Sequence, residues 1–90
     1  MKTVWKFPIR VTDEPQIVTL PRAHKFLAVR QSSSVTIDLW AEVDTESGRT
    51  EREVWVHGTG HPQDGGGSYI GTAFDDGHAF VWHVYAGVAR

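Results

Sequence analysis

The sequence predicts an all-β domain of about seven short, mostly antiparallel strands, arranged as a small sandwich or a barrel-like curved sheet. Three observations carry this. Apolar and polar residues alternate with a period of two in almost every segment, and the 3.6-residue period of an amphipathic helix is nearly absent. Turn-forming residues punctuate the chain at about ten-residue intervals, the rhythm of short strands. The 90 residues allow one domain, spanning 1–90, with a core that is small but adequate.

The elements follow in order. In 5–11 the odd positions Trp5, Phe7, Ile9 and Val11 are apolar, and Pro8 inside the run marks an edge strand or a bulge. A turn at 12–15 leads to strand 16–20. Strands 25–31, 35–43 and 50–57 follow, then a Gly-rich loop at 58–68, then strands 69–74 and 79–85. Turn chemistry suggests registers. Asp76-Gly77 reads as a two-residue hairpin pairing Phe74 with Ala79, Thr72 with Val81, Gly71 with Trp82 and Tyr69 with Val84. Ser47-Gly48 reads as a second hairpin, pairing Leu39 with Val56, Trp40 with Trp55 and Ala41 with Val54. Its cost is Glu42 facing Glu53, a like-charge pair. The serines 32–34 make a three-residue turn that pairs Val29 with Ile37, Leu27 with Leu39 and Phe26 with Trp40.

These registers give the three central strands two faces. Leu27, Val29, Val35, Ile37, Leu39, Ala41, Val43, Val54 and Val56 form a core face. The other face carries Arg30, Thr36, Asp38, Glu42, Glu53 and His57 around a row of Phe26, Trp40 and Trp55. A solvated face has no use for three large rings, so the row is expected to be an oligomer interface or a ligand platform, unless another strand of the chain covers it.

Composition excludes several chemistries. With no cysteine there are no disulfides, thiolate metal sites or cysteine nucleophile. Nine basic against eleven acidic residues leave a charge of −2, which disfavours nucleic-acid binding through bulk electrostatics. No apolar run is long enough to span a membrane, and the N-terminus does not read as a secretion signal. The glycine loop lies between strands and has no Walker lysine, so it is not a nucleotide loop of the strand-to-helix type. It reads as a flexible connection or as a loop closing over a small ligand, with its backbone N–H groups as the anion contacts. The five histidines lack the spacing and number of a zinc site, so no metal and no cofactor are expected. A triad of Asp38, Ser68 and His57 or His83 can be drawn, but no nucleophile elbow accompanies it. Asp75-Asp76 reads as a solvated turn. The protein is therefore expected not to be an enzyme. The candidate ligand-binding residues are Trp40, Trp55, His57, Gly58, Thr59, Gly60, His61, Trp82 and His83.

Four segments carry a resemblance: Met1-Lys2-Thr3-Val4-Trp5-Lys6-Phe7-Pro8, Val56-His57-Gly58-Thr59-Gly60-His61-Pro62, Tyr69-Ile70-Gly71-Thr72 and Phe80-Val81-Trp82-His83-Val84-Tyr85. Together they resemble a family of small uncharacterised tailed-phage proteins, classed as a domain of unknown function. The serine turn, the glycines 65–67 and the tail 86–90 depart from that family's pattern. The resemblance transfers no catalytic residue. It implies a phage protein in the cytoplasm of an infected bacterial host, and by context a counter-defence factor. The expectation is a homo-oligomer that sequesters a small anionic, nucleotide-like signal. The alternatives are an inhibitor of a host defence protein and a small phage structural or assembly protein.

Overall fold

Sequence alternation becomes two antiparallel sheets in the computed structural model, which describes residues 1–63, 66–75, 77 and 79–89. The strands are β1 (Lys2–Arg10), β2 (Gln16–Pro21), β3 (His24–Gln31), β4 (Thr36–Asp44), β5 (Arg49–Gly58), β6 (Ser68–Phe74) and β7 (Val81–Ala89). Sheet A has the order β1-β4-β3, and sheet B the order β2-β5-β7-β6. Each turns one face inward, as the period of two demands. Ile37, Leu39, Ala41 and Val43 of β4 meet Val54 and Val56 of β5 and Val84 and Ala86 of β7, all at 2% exposure or less. Among the described residues no helix is long and apolar enough to cross a membrane.

The free edges explain two prolines. Val11 N–H donates to Val35 O and Thr45 N–H to Met1 O, so the odd residues of β1 bond to β4 and the even ones point their backbone groups outward. Pro8 is even, and its missing donor falls on the open edge, where it costs nothing. Arg10, also even, has both backbone groups engaged by one side chain: its N–H donates to Gln16 Oε1 at 2.9 Å, and its carbonyl accepts from Gln16 Nε2 at 2.8 Å. On β2, Arg22 N–H donates to Gly48 O, which turns the odd residues outward and puts Pro21 on that edge. The Pro21 carbonyl accepts from His24 Nδ1 at 2.8 Å. At the opposite side of the sandwich β3 packs on β6, with Val29 Cγ2 over Gly71.

Three expected registers are corrected. β4 and β5 do not form a hairpin. β4 lies between β1 and β3, and the connection through Ser47-Gly48 passes from one sheet to the other. Glu42 then sits between Val4 and Lys25 instead of facing Glu53, which removes the like-charge pair. β3 pairs Val29 with Leu39, two residues from the expected register, and a bulge at Leu27 puts Phe26 opposite Ala41 on the inner face. Leu27 and Val35, expected in the core, are 45% and 65% exposed. The β6–β7 turn is also longer than two residues: Phe74 pairs with Val81, Thr72 with His83 and Ala73 with Trp82. Its expected turn residue Asp76 lies outside the described residues.

The row of Phe26, Trp40 and Trp55 therefore does not exist. Phe26 faces inward beneath the Arg52 guanidinium, 5.3 Å from its ring centre. Trp40 stands on the outer face of sheet A and Trp55 on the outer face of sheet B, with the core between them. A local turn signal cannot distinguish a hairpin from an arch between sheets, and the arch prevails because β1 and β3 occupy both sides of β4.

Candidate functional site

Two outer faces now have to be read separately. On sheet B, β5, β7 and β6 align Trp55, Tyr85 and Tyr69 in one cross-strand row, with His57, His83 and Thr72 in the next. This is a real aromatic row, built from one of the expected residues and two tyrosines that sequence reading missed. The His57 ring stacks on Trp55 at 5.9 Å and meets Tyr85 at 5.8 Å. Tyr69 packs edge-on against Tyr85 at 5.6 Å. A polar chain crosses the same face: Tyr69 Oη contacts Thr72 Oγ1, which lies 3.2 Å from His83 Nδ1, and His83 Nε2 lies 2.8 Å from Thr59 Oγ1. His57 is only 5% exposed.

The glycine loop leaves the end of this face. Gly60, with φ +83°, closes a turn in which His61 N–H donates to Gly58 O. Gly58 lets the His61 ring come close, since a Cβ there would stand 2.7 Å from His61 Nδ1 and 3.0 Å from Trp82 Cζ3 and the imidazole would have to shift. The His61 ring meets Trp82 edge-on at 6.1 Å. Trp82 faces inward opposite Ala73, its Nε1–H buried with no partner among the described residues. Asp13, Trp55, His57, His61 and Pro62 line a shallow groove of about 400 Å³. Eight of the nine expected ligand residues thus lie in one region, and Trp40 alone is elsewhere.

Two of the loop's expected anion donors are already engaged within the chain. The Thr59 and His61 N–H groups, expected to cradle an anion, donate to Val81 O and Gly58 O. Asp13 lies 3.4 Å from His61, and Glu53 accepts the Trp55 indole N–H at 2.7 Å. Two carboxylates therefore border the groove. Asp64 and Gly65, within the same loop, lie outside the described residues.

The outer face of sheet A adds two cations, Lys6 and Arg30. Trp40, half-buried, lies between Lys6 of β1 and Ala28 of β3 in one row, and Asp38 lies between Pro8 and Arg30 in the next. Lys6, Arg30, Asp38 and Trp40, with Gln31, the serine turn 32–34 and Asp75, line a groove of about 570 Å³. Among the described residues neither Lys6 nor Arg30 has an ion pair, and Asp38 accepts no hydrogen bond. Two cations, two carboxylates and an indole face thus share a groove, and among the described residues Lys6, Arg30 and Asp38 join no ion pair, while Asp75 accepts the Ala79 N–H at 3.3 Å. Sequence reading put Arg30 and Asp38 on the face of Trp40, but Lys6 comes beside it only through the sheet order. No three His, Asp or Glu side chains among the described residues are grouped to hold a metal ion.

Among the described residues, the carboxyl held away from its usual range lies apart from both grooves. The Glu46 backbone N–H bonded to Asp44 holds its carboxyl below the usual range, opposed by partial burial and aided by the N-terminal ammonium and Lys2. It fixes the arch between the sheets.

One protein-family model, that of DUF7352, a domain of unknown function, matches residues 1–90. No curated protein and no solved structure matches the chain.

Proposed function

Since the chain belongs to the DUF7352 family, whose description assigns no activity, we propose a function from the surface itself: a non-enzymatic binding protein that sequesters a small nucleotide-like molecule. The observation that carries this is the sheet A groove, where the Trp40 indole stands beside Lys6 and Arg30, two cations with no ion pair among the described residues. A planar base stacks on the indole, and a phosphate is held by the two cations. Such a protein serves as a phage counter-defence factor in the cytoplasm of an infected host, lowering the free concentration of a signal without altering it. What supports that setting is the resemblance of the four sequence blocks to small tailed-phage proteins.

Thermal-shift measurements with linear and cyclic nucleotides at millimolar concentration test the reading. A ligand present at 100 times its Kd stabilises the native state by about 2.7 kcal/mol. The shift is expected for the wild type and lost in Trp40→Ala and in the double variant Lys6→Ala/Arg30→Ala. No shift with any nucleotide refutes the reading.

A second reading rests on the other sheet. Trp55, Tyr85 and Tyr69 in a row, with Ile17 43% exposed on the same face, suit a protein partner, either a second copy or a host defence protein. Loss of self-association or of host-protein capture in Tyr69→Ala/Tyr85→Ala, with nucleotide binding intact, supports it.

A further inference from the structure

Resting on the reading of the sheet A groove just given, we infer that the groove selects a guanine-type ring. The argument starts from the strand. Trp40 and Asp38 are two residues apart on β4 and project from the same outer face. Their Cα atoms are therefore about 6.8 Å apart along the strand. A ring stacked on the Trp40 indole presents its edge to Asp38 over that distance, on the scale of half a purine plus a hydrogen bond.

The chemistry of that edge decides the base. An ionised carboxylate only accepts, through two oxygens side by side. Guanine offers two adjacent donors on one edge, N1–H and the exocyclic N2–H, and so engages both oxygens. Hypoxanthine offers N1–H alone. Adenine places a ring-nitrogen acceptor beside its amino group, which sets a lone pair against a carboxylate oxygen. Cytosine has the same donor-beside-acceptor edge and a smaller ring to stack.

Asp38 is free for this role. It accepts no hydrogen bond and joins no ion pair among the described residues, although Arg30 is its cross-strand neighbour. Arg30 on β3 and Lys6 on β1 flank the β4 residues from opposite sides, so the phosphate has cations to go to without displacing the base from Asp38. A groove with the indole and cations alone would bind every nucleotide alike. Asp75, the groove's other carboxylate, accepts the Ala79 N–H at 3.3 Å, and Asp38, in the row next to Trp40, is the carboxylate that makes the groove discriminate.

Calorimetric titration of the full chain with GMP, IMP, AMP and CMP tests this. Each hydrogen bond to a charged group is worth about tenfold or more in affinity. GMP is expected to bind tightest, with IMP about tenfold weaker and AMP and CMP weaker again. Asp38→Asn and Asp38→Ser, checked for an unchanged circular dichroism spectrum, are expected to weaken GMP and to lift the carboxylate's penalty on AMP, so that the guanine preference is lost in both, and in Asp38→Asn AMP gains because the amide can donate to its ring nitrogen. Equal affinities for GMP and AMP, or a guanine preference that survives both variants, overturn the guanine assignment alone. No binding of any of the four overturns it together with the reading of the groove.

Discussion

Leu39 and Trp40 are neighbours on β4 that face opposite sides of sheet A, and their truncation separates core from surface. Leu39 is fully buried between Phe7 of β1 and Val29 of β3. Leu39→Ala removes three carbons, worth about 0.8 kcal/mol each in transfer free energy. The residual cavity adds to this, so the total is about 3 kcal/mol. A chain of this length has a stability of about 5–13 kcal/mol, so the loss is a large fraction of the whole. The melting temperature should fall by about 12–24 °C. Trp40→Ala removes a larger side chain, but one half-exposed on the outer face, and should cost about 1 kcal/mol or less. Urea unfolding followed by far-ultraviolet circular dichroism, with equal m-values across the series, measures both. A Trp40→Ala cost equal to that of Leu39→Ala would refute the face assignment, and with it the correction of the β4–β5 pairing.

Three further predictions follow from named contacts. The Asp44 carboxyl is depressed by the Glu46 N–H and the N-terminal ammonium, so its contribution to stability is full above the ordinary carboxylate range near ~4 and is lost as pH falls through the depressed value. Acetylating the N-terminus should move the Asp44 midpoint upward in a carboxyl NMR titration, and an unchanged midpoint would remove the ammonium from the account. Arg52 donates to Gly87 O at 2.9 Å and to His24 Nε2 at 2.9 Å while covering the Phe26 ring. Arg52→Lys cannot reproduce that fork and should cost about 1–2 kcal/mol by urea unfolding, against almost nothing if the contacts are idle. Gln16→Ala exposes both backbone groups of Arg10, and hydrogen exchange at the Arg10 amide should accelerate at least about tenfold; unchanged exchange would show that the Gln16 amide does not hold the edge.

The strands were legible in the sequence because alternation is a local property. Trp5, Phe7 and Ile9 face inward as their odd spacing requires, and Pro8 lies on an edge strand. Register was less legible because it depends on partners far along the chain. The bulge at Leu27 breaks the period of two, and alternation carried across it puts Phe26 on the wrong face. A clue was present in the like-charge Glu42–Glu53 pair, a cost the native order avoids. The imidazole and glycine residues 57–61 cluster with Trp55 and His83 because they lie on adjacent strands or in one turn. The Trp40 groove draws on β1, β4 and β3, and only their order brings Lys6 and Arg30 to the same indole.

The alternation of bonded and outward residues on β1 also determines which strand that edge accepts. Pro8 offers no donor and Gln16 occupies Arg10, which leaves the backbone groups of Lys2, Val4 and Lys6 open. Two copies meeting antiparallel about a twofold axis through Val4 would set Lys2 of one against Lys6 of the other, twice over. The two lysines thus disfavour pairing of this edge with its own copy in that register, the kind of charge placement by which exposed edge strands are kept from pairing with one another.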